Sequence, residues 1–159
     1  MRVYGSRLYG SAVRALRVLA APLAILIGAG CAATINHAYD PATNFGLLKT
    51  YAWAPGPAIS QPANLVDTNV RFIADPVLEQ KGFSRGTGSP DFVVAIRFDS
   101  YPVTSYEGYE LSTLSLNVYR ADGQTLIWRG TASGSISTDA ASGDLKNAVQ
   151  GILAAFPPK

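Results

Sequence analysis

Cysteine, histidine and methionine each occur once in the 159 residues, and charged side chains make up only 15% of them. With Cys31 alone, no intramolecular disulfide can form, so the folded part must be held by its core. His37 has no cysteine to share a zinc ion with, since structural zinc takes about four Cys or His ligands. No metal or cofactor is expected. No Gly-x-Ser-x-Gly elbow exists to expose a serine nucleophile beside that histidine. Gly86-Thr87-Gly88 lacks the Gly-Lys-Ser/Thr that cradles phosphate. Asp91 and Asp99 sit eight residues apart on one predicted strand, about 26 Å at strand rise, too far for paired acid–base work. No repeat of 20–50 residues is evident. The chain is expected not to be an enzyme; the alternative is an envelope hydrolase with an unrecognised site.

The apparent basic character is also absent from most of the chain. Four of the 13 Lys and Arg residues (Arg2, Arg7, Arg14, Arg17) lie in the first 30 residues, and all 11 acidic residues follow them. Residues 31–159 therefore carry a net charge of −2, which gives no electrostatic argument for nucleic acid.

The first 30 residues show a charged beginning, an apolar run from Val18 to Ile27 and a small-residue end, which is a secretory pattern. Gly28, Ala29 and Gly30 suit a signal-peptidase groove, and Cys31 follows directly. This resembles the lipobox of bacterial lipoproteins, with Gly28 standing where an aliphatic residue is usual. The resemblance implies diacylglyceryl modification of the Cys31 thiol, cleavage before it, and a membrane partner reached through lipidated Cys31. Ala32, rather than aspartate, follows the cysteine, which favours the periplasmic face of the outer membrane. One alternative is an uncleaved inner-membrane anchor, because about 18 uncharged residues from Val18 to Ile35 can just span a bilayer. The other is cleavage to a soluble form. The expected domains are a signal peptide at 1–30, a lipidated tether at 31–34 and one folded domain at 35–158.

Along that domain, Ala33–Asp40 alternates like a strand, and Tyr51 and Trp53 share one face of a second short strand. Asn64 is expected to cap a helix running to about Lys81, with Val66, Val70, Ile73 and Val77 on its apolar stripe. Asp75-Pro76 should kink that helix or start a second one. Gly82 suits a left-handed C-terminal cap with Phe83 folding back. Ser84–Pro90 reads as a loop. Phe92, Val94, Ile96 and Phe98 then line one face of a strand, and Leu114, Leu116 and Val118 one face of the next. A bulged Asp122-Gly123 turn is expected to pair Val118 with Leu126 and Leu116 with Trp128. Ser142 is expected to cap a last helix bearing Leu145, Ala148, Val149, Ile152, Leu153 and Phe156. The expected fold is α+β: an antiparallel sheet of about five strands, order ββαβββα, with both helices on one face.

Five short motifs in order carry a family resemblance: Leu48-Lys49-Thr50-Tyr51-Ala52-Trp53; Lys81-Gly82-Phe83; Pro90-Asp91-Phe92-Val93-Val94; Leu126-Ile127-Trp128-Arg129-Gly130; and Ala148-Val149 through Phe156-Pro157-Pro158. Together they resemble the DUF4136 family of bacterial envelope lipoproteins. The resemblance implies a lipidated protein of small α+β fold and no activity.

Trp53 and Trp128 are expected in the core or on a sheet face rather than as ligand stackers. Arg129 is expected on the opposite face from Trp128, solvated or paired across strands with an acidic neighbour. The connection Pro102–Glu110 is the candidate partner-binding segment, through Tyr101, Tyr106 and Tyr109, because exposed tyrosines give contact area at low entropy cost. The expected role is binding of a protein, glycan or lipid partner through this loop or a sheet face.

Overall fold

The structure, a computed structural model, describes residues 33–55, 61–86, 88–102, 109–139 and 142–159. Chain order is β1 (Thr34–Tyr39), a short 3₁₀ turn (Phe45–Leu47), β2 (Thr50–Trp53), α1 (Gln61–Gln80), β3 (Ser84–Arg85), β4 (Phe92–Pro102), β5 (Tyr109–Arg120), β6 (Leu126–Ser137) and α2 (Asp144–Ala154). The strands form one sheet in the order β1-β6-β5-β4-β2-β3.

The α+β class and the two helices are as expected, but the sheet has six strands and is mixed. β2 pairs parallel to β4, with Tyr51 opposite Phe92 and Trp53 opposite Val94. β3, inside the stretch expected to be a loop, pairs parallel to β2. The cause is α1. A helix between β2 and β4 is the crossover that parallel neighbours require, whereas a purely antiparallel sheet assumes hairpins. β1, β6, β5 and β4 do pair antiparallel in succession.

Alternation sorts the sheet faces. Tyr51 and Trp53, then Phe92, Val94 and Ile96, then Leu114, Leu116 and Val118, are all buried together on the helix side. α1 adds Val66, Val70, Ala74 and Leu78, and α2 adds Leu145, Ala148, Val149, Ile152 and Leu153. The expected α1 positions Ile73 and Val77 pack only part-buried at the edge of this stripe. Phe156 lies at 0% exposure, with its ring 5.0 Å from Trp128, 5.3 Å from Phe83 and 5.7 Å from Phe92. Burying each such ring is worth about 1.5–3 kcal/mol, and this is where a chain without disulfides finds its stability.

Three local expectations are corrected. α1 begins at Gln61, so Asn64 is inside the helix and not its cap. No second helix starts at Asp75-Pro76, because α1 continues through Pro76. Pro76 and Phe72, four residues back, are both exposed, so water can take the carbonyl that proline leaves without a donor. The N-cap of α2 is Gly143, although the Ser142 hydroxyl still accepts the Asp144 amide at 3.1 Å. The C-terminus of α1 is as expected: Gly82 is left-handed (φ 89°), and Phe83 donates back to the Leu78 carbonyl and buries its ring.

The β5–β6 register differs from the one expected for a bulge at the turn. Val118 faces Trp128, Leu116 faces Gly130 and Tyr119 faces Leu126. The bulge therefore falls at Ile127, within β6, instead of at the turn glycine. Asp122 accepts from the Gln124 and Thr125 amides, and Arg120 N–H donates to the Thr125 carbonyl, closing a wider loop. Val118 and Trp128 still share the buried face, and Ile127 is buried as well.

Gly130 is required by a close approach. A Cβ there would lie 2.6 Å from Ile152 Cγ2 and would collide with the Trp128 indole, which folds across it.

Candidate functional site

The face of the sheet away from the helices is a polar lattice set by strand register. One row reads Asp99, Thr113, Ser133 and Thr34 across β4, β5, β6 and β1. The next reads Arg97, Ser115, Thr131 and Asn36, and the third Ala95, Asn117, Arg129 and Ala38. Strands lie about 4.8 Å apart and same-face residues about 6.8 Å apart along each strand, so donors and acceptors repeat on a regular grid.

Much of this grid is pre-bonded. Arg129 Nε donates to Asn117 Oδ1 at 2.8 Å, Thr113 Oγ1 donates to Asp99 Oδ2 at 2.8 Å, and the Ser115 and Thr131 hydroxyls meet at 2.9 Å. Arg129 thus lies on the side expected, but its cross-strand partner is an amide and not an acid. Asn117 is only 3% exposed. With its carbonyl oxygen held, the amide fixes the Arg129 fork while that side chain stays exposed. Arg97 is also exposed, two strands away and one row along, on the order of 12 Å from Arg129 by sheet spacing. Two guanidinium groups over a floor of hydroxyls and amides suit a polar ligand, such as a glycan or the acceptor-rich surface of a protein.

The expected partner-binding tyrosines are only partly placed. Tyr101 belongs to β4 opposite Glu110, and Tyr109 to β5 opposite Pro102, so neither lies in a loose connection. The pairing brings both to one hairpin end. Tyr106 lies outside the described residues, as do Gly28, Ala29, Gly30 and Cys31. His37 is exposed on β1 opposite Gly130. Trp53 and Trp128 are core residues, at 8% and 1% exposure, and the Trp128 N–H has no partner among the described residues.

Asp91 and Asp99 serve structure separately. The Asp91 carboxylate accepts the Thr50 and Lys49 amides and the Thr50 hydroxyl, tying the start of β4 to that of β2. Those bonds, the Thr50 amide first, hold its pKa below the ordinary 3.8.

Sequence reasoning missed Asp75. Its Oδ1 accepts the Tyr51 hydroxyl at 2.6 Å and the Trp53 indole N–H at 2.8 Å, and Arg85 Nη1 reaches Oδ2 at 3.5 Å. Burial, and then the bond to Asp75, pushes the Tyr51 hydroxyl pKa far above its ordinary 10.0. Arg71 covers the Trp53 ring at 5.2 Å and donates to the Ala54 carbonyl. The available signal was a carboxylate next to the buried stripe position Ala74, with Tyr51 and Trp53 waiting on one strand face.

Several grooves lie among the described residues. One of about 290 Å³ lies between Asn69, Phe72 and Ile73 of α1 and Thr138, Asp139 and Lys146; others hold about 180 and 100 Å³. Among the described residues no three His, Cys, Asp or Glu side chains gather to hold a metal ion, and no helix is long and apolar enough to cross a membrane.

A six-stranded mixed sheet with helices on one face and a polar lattice on the other defines a two-layer α+β domain with an open sheet face. The family model DUF4136, a domain of unknown function, matches residues 35–158, and the chain belongs to that family. Among solved structures, a DUF4136 family protein from Bacteroides thetaiotaomicron superposes with a TM-score of 0.52 at 12% identity, over 78% of this chain and 94% of that one. A PelC dodecamer from Paraburkholderia phytofirmans gives 0.54 at 11% identity, over 77% and 96%. A PDZ domain protein from Parabacteroides distasonis gives 0.60 at 13% identity, over 80% of this chain but only 36% of that protein. No curated protein sequence matches this one. These likenesses concern fold, and fold alone does not assign a function.

Proposed function

We propose that this is a non-enzymatic cell-envelope protein, anchored by lipid on Cys31 at the periplasmic face of the outer membrane, that binds a polar partner through its open sheet face. The observation that carries the binding role is the in-register grid around Arg97, Asn117 and Arg129. Arg129 is held by Asn117 before any ligand arrives, which lowers the ordering cost of binding there. The grid lies on an open sheet face, which suits surface recognition of a large polar partner. The lipid anchor is supported by the small residues before Cys31 and by the family's resemblance to envelope lipoproteins.

Two measurements test this reading. The intact mass of protein from isolated membranes should match residues 31–159 plus acyl groups, and a Cys31→Ser variant should lose the lipid mass. Full-length mass in both would replace the lipid anchor with a membrane-spanning one. A photocrosslinking side chain at Ser133 should give a discrete adduct in cells that Arg129→Ala weakens. An adduct insensitive to Arg129→Ala and Arg97→Ala would remove the lattice as the binding surface.

A further inference from the structure

We propose that β1 pairs with β1 of a second copy of this chain, antiparallel about a two-fold axis at His37, so that two sheets join into one. This pairing depends neither on the lipid anchor nor on any ligand of the open face.

β1 is one edge of the sheet, with β6 on its inner side. Beyond its last residue, Asp40 N–H donates to the Ile127 carbonyl at 2.9 Å. Bonded pairs alternate along an antiparallel ladder, so Thr34, Asn36 and Ala38 turn their backbone groups toward β6. Ile35, His37 and Tyr39 turn theirs outward, and these groups have no backbone partner among the described residues. Sheet edges are commonly blunted by lysine, proline, a bulge or extreme shortness. β1 has six residues, no Lys, Arg, Asp, Glu or Pro, and an unbroken register with β6. The other edge is blunted: β3 has two residues and ends on exposed Arg85.

That asymmetry and the sequence of β1 select a second copy as the occupant. Pairing like edge with like edge closes as a dimer, whereas β1 on β3 would add head to tail without closing. With His37 opposite His37 of the second copy, Ile35 meets Tyr39 and Tyr39 meets Ile35, which pairs all three outward residues with one another. Isoleucine opposite tyrosine is a favourable cross-strand pair. Shape agrees as well. Tyr39 is 45% exposed, and a groove of about 100 Å³ lies beside Ile35, walled by Asp144, Asn147 and Ala148 of α2. Tyr39, against Phe45, and Ile35, against Gly151, both lie on the helix side of the sheet. Each Tyr39 ring therefore enters the groove beside the other copy's Ile35. Asp40, 3.6 Å from its own Arg120, comes opposite the Thr34 hydroxyl on the open face, away from Asp144 on the helix side. Arg129, opposite Ala38, lies in line with Asn36 of the second copy, so no like charges are set opposite one another. Six residues a side make less than a standard interface, so the dimer is a weak one that crosslinking captures.

The test uses the full chain, oxidised with diamide in intact cells, and scores disulfide-linked dimer. Directly opposite bonded residues have Cα atoms about 5.5 Å apart, within disulfide reach. His37→Cys should give several-fold more linked dimer than Asp122→Cys at a distant turn, and more than the unsubstituted chain, whose Cys31 sets the background. Chains carrying Ile35→Cys should link to co-expressed chains carrying Tyr39→Cys more than either links to itself. Adding His37→Pro to both should remove that link, because proline at this position loses only an outward N–H and leaves the β1–β6 bonds in place. Should His37→Pro lower the urea midpoint, His37→Lys takes its place: it keeps the backbone donor and should weaken the link several-fold by opposing two cations. Dimer from His37→Cys no greater than from Asp122→Cys would overturn the pairing. A link that survives both His37→Pro and His37→Lys would overturn its strand-edge geometry. Position 37 linking to a different protein in place of a second copy would overturn the choice of occupant.

Discussion

Replacing Asp75 with alanine tests the interaction that fastens α1 to the parallel strand β2. The substitution removes the acceptor for the Tyr51 hydroxyl, on a residue with 0% exposure, and for the Trp53 indole N–H. A buried donor left without a partner costs about 1–3 kcal/mol. Trp53 is near the rim and the Asp75 side chain is 24% exposed, so water can repair part of its loss. The long, exposed Arg85 contact adds little. Alanine returns roughly 0.6 kcal/mol of helix propensity. The expected net loss is about 2–3 kcal/mol, a large part of the ~5–15 kcal/mol that holds a domain together. For a domain of this size that lowers Tm by about 10 °C. Urea unfolding followed by tryptophan fluorescence reads it directly, because Trp53 reports on the site. Asp75→Asn, which keeps an oxygen acceptor, should cost about half as much. The double variant with Tyr51→Phe should cost less than the two single losses added together, since both remove the same bond. Strict additivity, or a loss for Asp75→Ala below about 1 kcal/mol, would refute this account of how α1 is held.

Gly130→Ala should destabilise by about 2–3 kcal/mol, because its methyl group must displace the Trp128 ring or Ile152; an unchanged urea midpoint would contradict that packing. Tyr51 should resist ionisation in an ultraviolet alkaline titration. Its folded pKa is raised, so its contribution is complete below the ordinary 10.0 and is lost as pH rises toward the folded value. Tyr51→Phe should therefore flatten the alkaline decline in stability, and an equally steep decline would count against the buried hydroxyl as its source. Asp91 has the opposite sign: its lowered pKa contributes stability above the ordinary 3.8 that is lost as pH falls through the folded value. A carboxyl NMR titration should place its inflection below 3.8, and an inflection at or above that value would show that the Thr50 and Lys49 amides do not hold it.

Face assignment was legible because a strand's two-residue period and a helix's 3.6-residue period are local properties. Tyr51 with Trp53, Phe92 through Ile96, Leu114 through Val118, and the apolar face of α2 all follow from it, as does the left-handed cap at Gly82. The same local order, read over five motifs, pointed to the family whose model matches residues 35–158. Alternation says which way a side chain points but not which strand lies beside it. The insertion of β2 parallel to β4, the pairing of β1 with β6 and the bulge at Ile127 depended on contacts between distant segments.

The polar grid has the same origin. Arg97, Asn117 and Arg129 are unremarkable on three separate strands and become one surface only through register. Asp75 beside a proline offers a local reading as a helix cap, and local chemistry permits that reading. Only the packed structure brings Tyr51 and Trp53 within 2.6 and 2.8 Å of its carboxylate. By itself the sequence determined the faces, the helices and the family. Tertiary structure decided the neighbours, because pairing distant strands and satisfying buried donors are properties of the whole core and not of any one segment.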